Sequence, residues 1–319
     1  MSMAIGIDIG GTKIAGGVVT ADGEVLATVT KPTPAADPNA TTNTILAVIA
    51  ELRSNYEVTA VGLGAPGFID NSRSKIIFSP NITWHNEPLS QKISSSTQLP
   101  VILENDANVA AWGEFKFGAA QNHHTAAVIT VGTGIGGGII LEDRLIRGSY
   151  GFAGEIGHMN MVAAGRLCGC GANGCWEMYS SGNALVEYAR TRAAQTPADA
   201  SKMLELAGGS PAGITGLIVT KAASEGDRAA QDSFREIGKW LGRGMVNLAA
   251  ILDPEVFVLA GGVSEAGDLL RVPVAESFKE NLVASDYRPS PLILLAKLRN
   301  SAGLIGAADL ALEAVKKKV

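Results

Sequence analysis

Residues 4–26 and residues 126–146 follow the same pattern, and this repeat limits the possible folds more than any other feature of the sequence. The first copy reads AIGIDIGGTKIAGGVVTADGEVL, which predicts an apolar strand, a glycine-rich turn, a second strand, a turn at residues 22–23 and a third strand. The second copy reads AAVITVGTGIGGGIILEDRLI and places residues 130–134 where the first has residues 8–12. This duplication indicates an α/β protein with one core in each half.

The length and composition are those of a globular chain with two cores. The chain has 319 residues, and a single hydrophobic core stops growing at about 250–300 residues. Hydrophobic residues make up 46% of the chain, and its 38 glycines exceed the usual share of about 7%. We therefore expect two domains, residues 1–116 with residues 300–319 and residues 117–299, joined by structured crossovers because no low-complexity linker is found.

Charge and cysteine usage exclude several classes of protein. The net charge of -5 argues against a nucleic-acid or anionic-membrane surface, which selects for clustered lysine and arginine. The basic run at residues 316–318 is expected to be a solvated helix end. No signal peptide is recognised, and the uncharged stretch at residues 117–141 is too polar to span a bilayer. With three cysteines clustered as ligands rather than paired, the sequence predicts a cytoplasmic protein without a membrane partner.

Apolar spacing and turn residues predict the remaining local structure. Ile45, Val48 and Leu52 recur at helical spacing and predict an amphipathic helix over residues 41–56. Residues 58–63 are expected to form a strand that ends in GAPG. Further helices are expected near residues 89–97, after residue 106, and at residues 182–192, 228–252 and 304–317, with strands at VILEN, at the start of VFVLAGGVS and at LILLAK.

The glycine-rich turns of the two copies, DIGGTK and GTGIGG, are candidate phosphate-binding loops. GxGxxG also occurs at residues 62–67 and 132–137, but neither opens a helix as a dinucleotide fingerprint must, and no Walker A sequence is found. An isolated pair of glycines more often marks a tight hairpin alone. Two such turns with hydroxyls at Thr12 and Thr133 and a cation at Lys13 favour a clamp for a nucleoside triphosphate.

Asp8 ends the first predicted strand beside the first glycine turn. Mg²⁺ prefers one or two carboxylates together with phosphate oxygens. Asp8 is therefore a candidate Mg²⁺ ligand, either directly or through water.

The stretch at residues 154–177, GEIGHMNMVAAGRLCGCGANGCWE, contains every cysteine of the chain. One imidazole and three thiols suit tetrahedral Zn²⁺, and four protein ligands leave no open position for a substrate, so the metal is expected to be structural. The expected zinc ligands are His158, Cys168, Cys170 and Cys175.

Two carboxylates, Glu155 and Glu177, flank the predicted zinc ligands. Glu155 and His158 are three residues apart, a spacing at which two side chains share a face on a helical turn but not on a strand.

Seven motifs occur in an order that resembles the ROK family of sugar kinases and repressors, within the actin-like, hexokinase-like (ribonuclease H-like) ATPase fold with duplicated βββαβαβα-type cores. The resemblance covers nearly the whole chain, and AAWGEFKFG after ENDAN is most similar to the bacterial glucokinases of the family. The motifs are DIGGTK, GAPG, PN, ENDAN, VGTGIGGG, GEIGH and CGCGANGCWE.

The resemblance implies a role for each matching residue. Asp106 would be the general base that accepts the proton of the sugar 6-hydroxyl, although Asp is also a common N-cap and could cap a helix starting at Ala107. Because the resemblance implies that Glu155 and His158 both contact the sugar, a turn of helix is expected at residues 155–158. His158 would use one ring nitrogen for zinc and the other for a sugar hydroxyl. The implied sugar contacts are Gly67, Asn81, Asn105, Asp106, Glu155, His158 and Glu177, and the implied ATP contacts are Asp8, Gly10, Gly11, Thr12, Lys13, Gly132, Thr133 and Gly134, with Gly261 and Gly262 on the adenosine side.

The implied activity is ATP-dependent phosphorylation of D-glucose to glucose 6-phosphate, with Mg²⁺ as cofactor of ATP. The alternatives are a kinase of mannose, fructose, N-acetylglucosamine or N-acetylmannosamine, and polyphosphate as the donor. A sugar-responsive repressor would need a helix-turn-helix ahead of a first strand that begins near residue 4, and the intact Asp106 argues against a non-catalytic sugar-binding protein.

Other residues are expected to be structural or to serve assembly. His85, His123 and His124 are expected to be surface or packing residues. A homodimer or higher homo-oligomer is the default, because two-fold assemblies are the commonest. The glycine-bearing helix after Arg228 is one candidate for the subunit contact.

Overall fold

The chain forms layered α/β structure in a computed structural model that describes residues 2–316. The helices are α1 (Pro38–Arg53), α2 (Leu89–Thr97), α3 (Asp106–Phe117), α4 (Glu177–Ser180), α5 (Gly182–Gln195), α6 (Ser201–Leu206), α7 (Gly216–Ser224), α8 (Arg228–Leu252), α9 (Asp268–Asn281) and α10 (Ala302–Lys316). The strands are β1 (Met3–Ile9), β2 (Lys13–Thr20), β3 (Val25–Pro32), β4 (Ala60–Ala65), β5 (Phe68–Ile69), β6 (Ile76–Phe78), β7 (His85–Glu87), β8 (Val101–Asn105), β9 (Ala126–Val131), β10 (Ile135–Leu141), β11 (Arg144–Leu145), β12 (Val256–Ala260) and β13 (Leu292–Leu295).

Two five-stranded sheets have equivalent orders, β3-β2-β1-β4-β8 and β11-β10-β9-β12-β13. In the first, β1 is antiparallel to β2 and parallel to β4, and β4 is parallel to β8. In the second, β10 is antiparallel to β11 and β12 is parallel to β13. The matching orders confirm the internal repeat. A third, smaller sheet has the order β5-β6-β7.

The chain divides into two compact units, Met1–Val128 with Gly138–Gly154 and Lys297–Val319, and Ile129–Gly137 with Glu155–Ala296. The sequence placed domain boundaries near residues 116 and 300, and that assignment stays a prediction. Among residues 2–316, no helix combines the length and the hydropathy needed to cross a membrane. The predicted cytoplasmic location likewise stays a prediction.

In the first unit, helices cover both faces of the first sheet. Ile45 and Val48 of α1 belong to the same buried cluster as Ile7 of β1. On the other side α10 lies against backbone, since a Cβ on Gly6 or Gly62 would come within 1.8 Å of an α10 carbonyl oxygen. Glycine at both positions therefore allows the close approach of α10.

Most predicted helices are confirmed, with differences at their ends. The ranges of α2 and α8 are those expected, whereas α1 begins earlier, at Pro38, because the Asp37 side chain caps it by accepting from two backbone amides. Helix α10 begins at Ala302, and its expected end at residue 317 lies outside the described residues.

Within the second unit, the glycines of α8 are packed against the same chain. A Cβ on Gly238 would meet Pro273, and one on Gly242 would meet Phe278 and Ser277, all on α9. These glycines therefore allow α9 to approach α8 closely. The suggestion that α8 contributes to a subunit contact stays a prediction.

Candidate active site

Asp106 is the first residue of α3, directly after β8. The Asn105 side chain is the N-cap and accepts from the amides of Ala107 at 2.9 Å and Asn108 at 3.1 Å. The interpretation of Asp106 as the cap is therefore wrong, because Asn105 already satisfies these donors. Asp106 also accepts from the Ala107 amide at 2.9 Å, and its charge is favoured at a helix N-terminus.

A second carboxylate, Asp8, lies at the same edge of the first sheet. Asp8 pairs with Gly64 in β4, which in turn pairs with Glu104, two residues before Asp106. Burial, followed by the charge of Asp106, raises the pKa of Asp8 to about 6 against the lowering effect of Lys13. Burial also raises the pKa of Asp106. Such neighbouring perturbed carboxylates suit proton transfer or cation binding.

The residues around these carboxylates approach each other closely. Asn105 Nδ2 donates to the Gly67 carbonyl at 3.2 Å, and Gly67 has a φ of 106°, which favours glycine. A Cβ on Gly303, at the start of α10, would lie 3.0 Å from Asp8 Cγ. Gly303 thus leaves room for the Asp8 carboxylate, a role that its sequence context does not reveal.

The first glycine turn connects β1 to β2 in the same unit. Gly10 donates its amide to the Lys13 carbonyl at 2.9 Å and accepts from Thr33 Oγ1 at 2.7 Å. The side chains of Thr12 and Lys13 are exposed. Asn81 is also exposed and lies beside this turn, since a Cβ on Gly11 would be 3.4 Å from Asn81 Cβ.

The second glycine turn lies in the other unit, after β9. The Gly132 amide donates to the Gly134 carbonyl at 3.0 Å, and the Thr133 side chain is exposed. A Cβ on Gly134 would lie 2.4 Å from Glu177 Oε2, which also accepts from the Ile135 amide at 3.3 Å. The turn and the Glu177 carboxylate are therefore in direct contact.

The third glycine turn follows β12, the neighbour of β9 in the second sheet. Gly261 has a φ of 82°, and a Cβ there would lie 2.6 Å from the Val131 carbonyl oxygen. Gly262 begins a short 3-10 helix, and a Cβ there would meet nothing within 4 Å. The loop therefore packs against the end of β9 on one side and leaves space at Gly262.

One imidazole and three thiols form a compact group in the second unit. Ligand atoms from His158, Cys168, Cys170 and Cys175 all lie within 4.8 Å of one another. Cys168 Sγ is 3.7 Å from His158 Nδ1, and Cys170 Sγ is 3.6 Å from Cys175 Sγ. A tetrahedron with metal–sulfur bonds of 2.3 Å has sulfur–sulfur edges of about 3.8 Å. The group could therefore hold a tetrahedral metal ion.

The cysteine loop is folded by its own backbone. Cys168 donates its amide to the Ala172 carbonyl at 2.8 Å, and the Gly171 amide donates back to the Cys168 carbonyl at 2.9 Å. Gly174 has a φ of 79° and lies so near the Val162 carbonyl that a Cβ would overlap it. Burial raises the pKa of Cys168 and of Cys175, so their thiolates require a nearby cation.

The expected helical turn lies beside this group and is confirmed. Residues Ile156–His158 form a 3-10 helix, in which His158 donates its amide to the Glu155 carbonyl at 3.1 Å. His158 Nδ1 lies on the cysteine side, 3.6 Å from Glu177 Oε1, whereas Nε2 is 3.9 Å from Glu155 Oε2. One ring nitrogen thus faces the thiols and the other faces Glu155.

Several charged residues near the candidate base were not assigned a role from the sequence. Glu104, the first residue of ENDAN, pairs with both Arg73 and Arg147, two residues before Asp106. No local pattern signals them, because they are far apart in sequence. His85 and His124 are exposed, and His124 pairs with Asp143.

Comparison with known proteins covers nearly the entire chain. A profile of the ROK family matches residues 4–314. The chain is 48% identical over 313 residues to a glucokinase of Streptomyces coelicolor, with 98% of each protein covered. It is similar to a ROK family glucokinase from Streptomyces griseus in complex with glucose and AMPPNP, with a TM-score of 0.90, 47% identity and coverage of 98% of this chain and 100% of that chain.

A ROK hexokinase from Thermus thermophilus is also similar, with a TM-score of 0.83, 33% identity and coverage of 99% of each chain. The structural similarities extend over both halves of the sequence. They confirm the expected α/β, actin-like and hexokinase-like fold class.

Proposed function

The chain belongs to the ROK family, and on that premise we propose that it transfers the γ-phosphoryl group of ATP to the 6-hydroxyl of glucose. The observation that carries the proposal is the position of Asp106 at the start of α3, with a raised pKa and with Asn105 acting as the cap in its place. A related protein with glucose and AMPPNP bound supports both substrates.

Asp106 acts as the general base in this reaction. The glucose 6-hydroxyl oxygen attacks the γ-phosphorus, the bond from that phosphorus to the bridging oxygen breaks, and ADP leaves. The hydroxyl proton passes to Asp106, whose raised pKa brings it nearer the operating pH. Asp8 is placed to hold Mg²⁺, which neutralises charge on phosphate oxygens when it is bound.

The phosphate groups of ATP are bound by the glycine turns. In the first unit we assign this role to Gly10, Gly11, Thr12 and Lys13, whose polar side chains are exposed. In the second unit we assign it to Gly132, Thr133 and Gly134, with Gly261 and Gly262 toward the adenosine. Backbone amides in such turns bind anions without needing a side chain.

We assign the sugar contacts to amides, carboxylates and one imidazole. We assign Gly67, Asn81 and Asn105 in the first unit, together with Asp106. In the second unit we assign Glu155, His158 and Glu177. Hydroxyls bracketed by such groups are selected strongly, because a wrong sugar leaves buried polar groups unpaired.

The Cys₃His group holds structural zinc in this proposal. Its donor set and spacing fit tetrahedral Zn²⁺, and a closed set of four protein ligands leaves no position for catalysis. The ion would orient the His158 ring and neutralise the thiolates. His158 would then present Nε2, on the side of Glu155, to a sugar hydroxyl.

A coupled assay across several sugars and donors tests the proposed function. We expect glucose 6-phosphate from glucose with Mg²⁺ and ATP, with mannose as a weaker acceptor, and little product from fructose, N-acetylglucosamine or N-acetylmannosamine. Polyphosphate in place of ATP tests dual donor use. No phosphorylation of glucose by freshly purified, metal-replete protein would contradict the proposal, and preference for another acceptor would reassign the substrate.

We also propose a homodimer, the commonest homo-oligomer. Light scattering coupled to size-exclusion chromatography should give about twice the chain mass of 32.9 kDa. A single-chain mass over the working concentration range would contradict it.

A further inference from the structure

Glu104 is a buried carboxylate at the centre of an ion-pair network in the first unit. Its side chain is fully buried, and Oε2 lies 2.9 Å from Arg73 Nε and 2.6 Å from Arg147 Nε. Its other oxygen, Oε1, accepts from the Asn105 amide at 2.9 Å and from Asn108 Nδ2 at 3.1 Å. A buried carboxylate is stable only with such partners, so the network fixes the junction of β8 and α3.

Arg147 differs from Arg73 in what its remaining nitrogens contact. Arg147 Nη1 donates to the Asn71 carbonyl at 2.8 Å, and Nη2 donates to the Asp70 carbonyl at 3.0 Å. Its side chain is 10% exposed, compared with 25% for Arg73. Arg147 therefore joins Glu104 to the turn from outside it, through the carbonyls of Asp70 and Asn71, whereas Arg73 is a residue of that turn and pairs with the same carboxylate directly.

The turn that Arg147 contacts is itself well ordered by Asp70. The Asp70 carboxylate accepts from the amides of Ser74 at 2.8 Å and Lys75 at 2.9 Å, and from the hydroxyls of Ser72 and Ser74. Although burial alone would raise it, these hydrogen bonds lower the pKa of Asp70 to about 2. The turn directly follows β5, which begins one residue after Gly67.

The segment that carries Arg147 also packs on β5. A Cβ on Gly151 would lie 2.4 Å from the Ile69 carbonyl oxygen. The rings of Phe152 and Phe68 are 5.1 Å apart. The segment that follows Arg147 therefore contacts β5, the strand that begins directly after Gly67.

We propose that Arg147 is a positioning residue that sets the Gly67 segment against the Asn105–Asp106 segment. One end of its guanidinium is held by Glu104, which precedes the candidate base, and the other end holds the turn that follows β5. The Asn105 hydrogen bond to the Gly67 carbonyl bridges the same two segments. The effect of Arg147 on glucose kinetics rests on the proposed function, whereas the connection that Arg147 makes between Glu104 and the turn, called the tie below, does not.

The tie requires the geometry of arginine as well as its charge. Lysine at position 147 would keep a positive charge for Glu104 but could not donate from two fixed Nη atoms to adjacent carbonyls. Arg147→Lys should therefore loosen the turn while leaving the buried carboxylate neutralised. Arg73→Lys is the matched control, because it changes the other arginine at the same carboxylate oxygen while keeping the Arg73 backbone amide and both Arg147 donors to those carbonyls.

Steady-state kinetics of wild type, Arg147→Lys and Arg73→Lys tests the kinetic consequence. We expect Arg147→Lys to raise the glucose KM by about tenfold, the size expected for loss of a hydrogen bond to a charged group, with the ATP KM within twofold. Arg73→Lys should leave both KM values within twofold. Equal KM values for the two variants would overturn the kinetic part of the proposal.

Hydrogen exchange tests the tie without relying on activity. The amides of Ser74 and Lys75, which donate to Asp70 and are substituted in neither variant, should exchange faster in Arg147→Lys than in Arg73→Lys, while thermal unfolding shows both variants to be folded. Equal exchange in the two variants would overturn the proposal. If wild type fails to phosphorylate glucose, the proposed function fails, and the exchange comparison still decides whether Arg147 holds the turn.

Discussion

The two halves of the chain order their proposed sugar contacts by different chemistry. In the first unit, Asn105 and Asp106 follow a buried carboxylate, Glu104, which is neutralised by two arginines. In the second unit, Glu155 and Glu177 lie beside a group of three thiols and one imidazole. The first group is held in place by side chains of the protein alone, whereas the second contains thiols that a metal ion would hold together.

The difference has an energetic consequence. An ion pair in the protein interior is costly to break, by about 3–5 kcal/mol, because the remaining charge is left uncompensated. A structural zinc site instead couples metal binding to local folding, with apparent free energies of about 10 kcal/mol or more. The first half should therefore be insensitive to chelators and the second half strongly sensitive to them.

The largest effect is expected from Cys168→Ser. Removing this buried thiol should abolish metal binding, reduce zinc from about one ion per chain to near zero and eliminate glucose binding, because the cysteine loop that precedes Glu177 loses its order. Elemental analysis measures the zinc content, and calorimetry measures glucose binding. Arg147→Lys is the control in the other half and should keep its zinc. An unchanged glucose affinity in the zinc-free variant would show that the metal does not order the sugar site.

The next largest effect is expected from Asp106→Asn. General bases contribute about 10²–10⁴-fold in rate, so kcat should fall by that factor. Glucose affinity and zinc content should be retained, because the capping by Asn105 and the Cys₃His group are untouched. A coupled assay measures kcat, and calorimetry measures the affinity for glucose. Turnover within tenfold of wild type would remove Asp106 as the base.

The smallest effect is expected from the Asp70 turn. The pKa of Asp70 is about 2 in the folded chain, below its ordinary value of 3.8, so the carboxylate stabilises the fold fully above pH 3.8 and loses that contribution as the pH falls through 2. Thermal unfolding of wild type and Asp70→Asn should differ at pH 7 and converge below pH 2. If the difference in melting temperature stayed constant across this range, the effect of the substitution would come from the shape of the side chain and not from its charge.

The sequence predicted those parts of the site that depend on local pattern. The turn of helix at Glu155 and His158 follows from their spacing together with the shared sugar contact that the resemblance implies, and the range of α8 is the one expected. Helix α1 begins earlier than its apolar spacing predicts, because Asp37 is its N-cap and Pro38 is a favoured first residue. The cap of α3 was assigned one residue too late, since Asn and Asp cap helices about equally well.

Sequence by itself determined the repeat, the family and the candidate metal ligands. The three cysteines lie within eight residues of one another, from 168 to 175, so a short loop brings them together and their pattern is readable locally. Tertiary structure alone decided the partners of Glu104, because Arg73 and Arg147 come from distant turns and reach it only when β5, β8 and the segment after β11 have packed. Local spacing can specify a metal loop, but a buried ion pair is defined by the contacts of the folded chain.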